Sequence, residues 1–270
     1  MPLLVLPVGL VIGLSLGALG GGGSILTVPA LVYLLGQDPR QATTGSLVIV
    51  GLTSLVALVP HARRGRVRAG QGLAFGALGT AGSFAGSALA AHVAPAVLLT
   101  GFAALMLLVA TLMIRRSRAA AASPAAPDLG RADLEPMLTL RPLSCACPRV
   151  VRLLVTATVV GLVTGFFGVG GGFVLVPALV LALSFDMPTA VGTSLLVIAV
   201  NSATALLARA SSGTSPSWAV VVAVTTVAVV GSLVGGRLAS RVPPRLLTRA
   251  FSVLLVGVAL YTAARSLPRL

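Results

Sequence analysis

Two glycine tracts are the residues best suited to do chemistry in this chain: Gly20-Gly21-Gly22-Gly23 and Gly168-Val169-Gly170-Gly171-Gly172. Glycine brings no side chain, so the chemistry on offer is that of backbone N–H groups, which an anion can approach closely. Conventional reactive groups are scarce. Cys145 and Cys147 form a Cys-x-Cys pair, badly spaced for a disulfide and too few for a structural zinc site. They read as reduced loop thiols, with metal or sulfur handling as the alternative. His61 and His92 fall at the ends of apolar runs and read as solvated interface residues, with a proton relay as the alternative. Asp38 and Asp186 each precede an apolar run, with Pro39 and Pro188 close behind. Aspartate followed by an early proline is a helix N-cap pattern. Ion coupling is the second reading of this pair. No catalytic residue, metal ligand set or cofactor motif stands out.

Such backbone chemistry needs elements that hold it, and the composition says where they lie. Of 270 residues, 57% are hydrophobic and 9% charged, with a mean hydropathy of +1.06. A soluble domain carries roughly 25% charged residues. A soluble enzyme, a disordered chain and a disulfide scaffold are excluded, and the solvent is mainly lipid. Nineteen basic residues, all arginine, face five acids, a net +14. The arginines cluster in short loops without aromatic platforms. They read as topology determinants, and no nucleic-acid partner is expected.

Apolar runs mark eight segments, roughly 3–35, 42–60, 69–91, 95–114, 150–183, 190–208, 218–236 and 245–264. The expected fold class is an all-α, polytopic integral membrane protein. Met1 to Ala18 lacks a basic n-region and reads as part of the mature fold. The first segment of each half is about 33 residues, about 50 Å as one straight helix, which overshoots a bilayer of about 30 Å. Each carries a glycine tract near its middle, so each must break, as a discontinuous helix or a re-entrant hairpin. Residues 115–149 are expected to be a cytoplasmic, partly disordered linker, with Pro124, Pro127, Pro136, Pro142 and Pro148 opposing helix. The domains are then 1–114, a first membrane repeat, and 150–270, a second.

The two halves align at an offset of 148 residues. Gly13, Gly17 and Gly20 fall on Gly161, Gly165 and Gly168, and Gly22 and Gly23 on Gly170 and Gly171. Val28-Pro29-Ala30-Leu31 falls on Val176-Pro177-Ala178-Leu179, Asp38 on Asp186, and Ser46 on Ser194. Later the offset becomes 149, placing Gly82, Gly86, Pro95 and Phe102 on Gly231, Gly235, Pro244 and Phe251. The chain is a tandem duplication with broken helices in matching places, the pattern of a transporter site at the repeat interface. Gly82, Gly86, Gly231 and Gly235 have small-x-x-x-small spacing and read as helix-packing glycines. No acid or arginine stands in the middle of any span. The expected substrate-binding set is therefore neutral: Gly20, Gly22, Gly23, Gly168, Gly170, Gly171 and Gly172, with Ser46, Thr193, Ser194 and Asn201 completing it. Asn201 and Ser202 stand opposite Thr53 and Ser54 in the repeat.

The doubled motif resembles the TauE/SafE family of sulfite exporters. The resemblance rests on Gly13-x3-Gly17-x2-Gly20-x-Gly22-Gly23 with Val28-Pro29-Ala30-Leu31. Its second copy is Gly165-Phe166-Phe167-Gly168-Val169-Gly170-Gly171-Gly172 with Val176-Pro177-Ala178-Leu179. Ala190-x-Gly192-Thr193-Ser194-Leu195 and Ala42-Thr43-Thr44-Gly45-Ser46-Leu47 also fit. What the resemblance implies is a permease of the bacterial inner membrane for sulfite, organosulfonates or related small sulfur-containing anions. Partners would be that anion and the bilayer, with a homo-oligomer left open. The alternatives are a passive anion channel and a non-transporting accessory protein. A membrane enzyme lacks a nucleophile or metal cluster facing the spans.

Arginines 63, 64, 66 and 68 and arginines 115, 116 and 118 mark two loops on one side of the membrane. If 150–183 crosses once, 14 arginines lie inside and 5 outside; if it is a hairpin, 15 and 4. One arginine does not separate the two. A broken 33-residue segment fits a hairpin better, which favours repeats inverted relative to each other.

Overall fold

A computed structural model describes residues 2–90, 92–93, 95–122, 147–167, 172–209 and 216–266. Among them almost every residue is helical and none is in a strand. The first half contains α1 (Pro2–Leu19), α2 (Gly22–Pro29), α3 (Pro39–Arg63), α4 (Ala69–Ala90) and α5 (Pro95–Ala122). The second contains α6 (Cys147–Phe167), α7 (Gly172–Leu181), α8 (Met187–Arg209), α9 (Trp218–Ala239) and α10 (Pro244–Ser266). The all-α, polytopic reading holds. Among the described residues, apolar stretches of α3, α8, α9 and α10 are each long enough to cross a membrane. Large apolar side chains also cover the outside: Leu207 is 76% exposed, Val253 71% and Phe84 64%. A surface of that kind is stable in lipid and aggregates in water.

Local chemistry sets the helix ends. Prolines open α3, α5 and α10 at the first turn, where a missing N–H leaves no bond unmade. α3 closes on Gly65, whose φ is +68°, with the Arg66 N–H donating to the His61 carbonyl at 3.0 Å. Past Pro29, α2 widens into a π-helical turn, Ala30–Leu34, and the Leu35 N–H reaches the Ala30 carbonyl at 3.1 Å. The ends of the linker region differ from expectation. α5 runs on to Ala122 and α6 begins at Cys147. Pro148 sits in the first turn of α6, where proline is tolerated, so it does not oppose helix there. Pro124, Pro127, Pro136, Pro142 and Cys145 lie outside the described residues.

Each long first segment is a hairpin. Gly20, at φ +70°, turns the chain off the end of α1. α2 then folds back along α1: a Cβ on Gly23 would stand 2.6 Å from the Ile12 carbonyl oxygen. In the second half, Phe102 of α5 touches both the end of α6 and the start of α7. Its ring centroid is 5.7 Å from Phe167 at the end of α6 and 5.1 Å from Phe173 in the first turn of α7.

Close approaches at glycines give the directions. Gly51 meets Ser202, while Gly192 meets His61, so α3 and α8 are antiparallel. Gly45 meets Val221 and Gly236 meets His61, so α3 and α9 are parallel. Gly9, Gly13 and Gly17 of α1 meet Val227, Ala228 and Ser232 of α9 in order. Gly79, Gly82 and Gly86 of α4 meet Ala157, Thr158 and Leu162 of α6 in order. Both of these pairs are parallel. α1 therefore starts on the face where α3 and α9 start, and α6 on the face where α4 and α8 start. The repeats are inverted. They also interlock, because the first helix of each lies along the third span of the other. Gly82, Gly86, Gly231 and Gly235 all sit in these two seams against helix backbone, in the packing role their spacing predicts.

The inversion gathers arginine on one face. Arg63, Arg64, Arg66 and Arg68 share it with Arg115, Arg116 and Arg118, with Arg149 and Arg152, and with the arginines of the α9–α10 turn. Arg40, Arg209 and Arg265 are on the other. Cysteine labelling checks this. With Cys145 and Cys147 changed to serine, Arg64→Cys and Arg241→Cys should react with an impermeant thiol reagent from one side. His92→Cys and Trp218→Cys should react only from the opposite side. Labelling of the Arg64 and Arg241 positions from opposite sides would mean parallel repeats.

Candidate functional site

The tip of the first hairpin meets the start of α7 inside the bundle. A Cβ on Gly21 would overlap the carbonyl oxygen of Gly172, and a Cβ on Gly172 would overlap the Ser24 hydroxyl. Ser24 and Gly172 are equivalent positions at the 148-residue offset, so their contact marks the pseudo-twofold axis. Only one of the pair can carry a side chain there. Ser24 does, and its Oγ donates to the Gly21 carbonyl at 2.7 Å.

Both returning helices begin at these tips. α2 starts at Gly22 with Gly21 as its N-cap, and no side chain caps it. α7 starts at Gly172. Two helix N-termini, each carrying about half a positive charge, are thus brought together inside the bundle. Like partial charges at close range repel, and an anion between them would relieve that repulsion. Thr27 of α2 is fully buried and donates back to the Gly23 carbonyl at 2.8 Å.

The expected site residues divide. Gly20 joins the tips to the second repeat: a Cβ there would stand 2.5 Å from Ser194 Oγ and 3.3 Å from Val191 Cα. Gly22 instead meets the end of the Leu254 side chain, at 2.8 Å, and Gly23 packs on α1. Gly168, Gly170 and Gly171 lie outside the described residues. Ser194 and Ser46 keep the repeat's symmetry, each buried and each donating one turn back, to Val191 and Thr43, at 2.8 Å. Thr193 is placed differently, at the arginine-rich face. Its Oγ1 accepts from the Arg68 N–H at 3.1 Å and pins the α3–α4 loop to α8. Asn201 lies deeper in α8, and its Oδ1 accepts from Thr80 of α4 at 3.3 Å.

Asp38 and Asp186 take the N-cap geometry. Their carboxylates accept from the Gln41 and Thr189 N–H groups, each at 3.4 Å, a long bond. Asp186 also lines a cavity of about 190 Å³ on the arginine-rich face, with Arg116, Arg245 and Thr248. Arg116 there donates to the Leu181 carbonyl at 3.1 Å, setting a positive charge at the C-terminal end of α7. A capping role predicts that Asp186→Ala costs about 1 kcal/mol of stability while Asp186→Asn keeps most of it. Melting curves of the two variants check this. Loss of transport in Asp186→Asn at unchanged stability would point to ion coupling instead.

Sequence reasoning missed several positions. Gly21, whose repeat partner is Val169, is not in the expected site set, yet it makes the tip contact. His61 differs from the interface residue expected. It is buried among Gly17, Gly192 and Gly236, with neither ring nitrogen in hydrogen-bond geometry although the Gly17 backbone is close by. The other histidine, His92, is exposed, its Nδ1 3.2 Å from the Ala88 carbonyl oxygen. Gln37 is buried with an unpartnered side-chain amide, at the position where the second half has the buried Phe185. Glutamine at a loop gives no sequence signal of burial.

Comparison with known proteins points to a family of membrane transporters. A family model described as sulfite exporter TauE/SafE matches residues 5–262. A probable membrane transporter protein of Xylella fastidiosa (strain Temecula1 / ATCC 700964) is 32% identical over 258 residues, covering 94% of this chain and 92% of the relative. Probable membrane transporter protein YunE of Bacillus subtilis (strain 168) is 27% identical over 258 residues, covering 92% and 90%. No solved structure matches the chain. Duplicated, glycine-broken hairpins in a lipid-facing helical bundle, matched by this family across nearly the full length, make the conclusion plain: the chain belongs to the TauE/SafE sulfite exporter family and is a multi-pass membrane protein of transporter type.

Proposed function

We propose that the protein is a permease exporting a small sulfur-containing anion, sulfite or an organosulfonate, across the bacterial inner membrane. The observation that carries this reading is the meeting of the α2 and α7 N-termini at the hairpin tips. Positive helix ends without fixed charge hold an oxyanion and still let it go. Gly20, Gly21 and Gly172 with Ser24 and Ser194 form the described part of the site, and the expected residues Gly168, Gly170 and Gly171 lie outside the described residues. The arginine-rich face is cytoplasmic under the positive-inside rule. A negative interior then drives anions outward, worth about 2.3 kcal/mol per charge per 100 mV. Inverted repeats supply the two access states, by rocking one repeat against the other around the tips.

The test is flux of labelled sulfite, sulfate and taurine in proteoliposomes, with and without an imposed potential. Saturable sulfite or taurine flux that rises with potential supports the permease. Flux that never saturates would make it a channel. No flux of any of the three, from folded protein, would favour an accessory role.

A further inference from the structure

Many hydroxyls in this bundle follow a habit that Thr53 and Ser54 do not share. Ser24, Thr27, Ser46, Thr80, Thr164 and Ser194 each donate to a carbonyl three or four residues back in the chain. That is the usual resting state of serine and threonine inside membrane helices. Thr53 and Ser54 of α3 are both fully buried, and neither hydroxyl has any hydrogen-bond partner. Two adjacent, unsatisfied hydroxyls at this depth are costly, since hydrocarbon offers nothing in place of water.

Their position is equally specific. They lie about 15 Å along α3 from Arg63, at 1.5 Å per residue, which is mid-membrane. α3 and α8 cross at this level, where a Cβ on Gly51 would stand 3.0 Å from Ser202 Cβ. The repeat equivalents of Thr53 and Ser54 are Asn201 and Ser202. Asn201 accepts from Thr80 through its Oδ1, so the crossing is polar on both helices, and on the α3 side two fully buried hydroxyls stand without a partner. The chain's five acids are Asp38, Asp128, Asp133, Glu135 and Asp186, and none is within this part of a span. Free donors with no acid beside them in the span suit an oxyanion and disfavour a cation.

We propose that Thr53 and Ser54 form a mid-membrane oxyanion subsite at the α3–α8 crossing, each hydroxyl donating to one oxygen of the transported anion. This rests on the permease reading above and adds to it the residues that hold the anion between the hairpin tips and the faces.

The test uses the purified full chain and measures thermal stabilisation by sulfite, sulfate and methanesulfonate. The variants are Thr53→Val, Ser54→Ala, the double variant, and Thr53→Ser as the conservative control. Removing a hydroxyl that has no partner should leave the melting point of the anion-free protein unchanged or raised. The half-saturating sulfite concentration should rise about tenfold for each hydroxyl lost, and Thr53→Ser should bind like wild type. Wild-type affinity in the double variant would overturn the subsite while leaving the permease intact. A melting point several degrees lower without anion would also overturn it, since the hydroxyls would then have structural partners. Wild-type protein that binds none of the three anions would remove both the subsite and the permease reading.

Discussion

Gly21→Ala should abolish transport, lowering flux in proteoliposomes at least about tenfold, while Gly22→Ala beside it should be tolerated. A methyl group on Gly21 would overlap the Gly172 carbonyl oxygen, which is backbone and has no rotamer to yield. The tips would have to part, and forcing a closed contact open costs about 1–3 kcal/mol or more. In a transporter that energy falls on the element that must close in one state and open in the other. On Gly22 the same methyl meets chiefly Leu254 Cδ2, the far end of a flexible side chain, at 2.8 Å. The leucine can move aside, and alanine favours helix over glycine at that position. Equal flux in the two variants would show that the tip contact does not control transport. Melting curves taken alongside separate a blocked transporter from an unfolded one.

Gly17→Ala and Gly165→Ala should be among the most destabilising single changes outside the tips, and they should match each other. A Cβ on Gly17 would overlap the carbonyl oxygen of Ser232, and one on Gly165 the carbonyl oxygen of Ser83. Ser83 and Ser232 are themselves repeat equivalents. These seams bring backbone against backbone, the source of tight association where lipid removes the hydrophobic drive between helices. We expect a loss of about 3 kcal/mol or more per site, seen as a lower melting point and loss of the monodisperse protein peak. Ser232→Ala should not rescue Gly17→Ala, because the clash is with main chain. Gly257→Ala is the control. Nothing lies within 4 Å of its added methyl, so it should gain up to about 1 kcal/mol from helix propensity. Parallel losses at Gly17 and Gly165 would also be functional support for the interlocked, inverted arrangement.

Much of this architecture can be read along the chain. Lipid demands long apolar runs, and proline and glycine can interrupt them only at set places, so the eight segments, the two breaks and the duplication stand out in sequence. The aspartate–proline pairs announced the starts of α3 and α8, because capping is a contact within one turn. Gly82 and Gly86 announced a seam, because a four-residue spacing puts both on one helix face.

What remained hidden is whatever depends on partners far away in sequence. The arginine count left the orientation of the second half nearly balanced. Antiparallel packing of α3 on α8, through Gly51 with Ser202 and Gly192 with His61, resolves it. Thr193 reads as a site residue beside Ser194, yet its hydroxyl is taken by the Arg68 N–H, 125 residues away in sequence. Gly21 looks like one more glycine until Gly172 is set against it. Thr53 and Ser54 look like any helix hydroxyls, whose default bond is to their own backbone. Only the folded bundle shows that bond unmade, because whether a buried donor is satisfied depends on every atom around it and not on its neighbours in the chain.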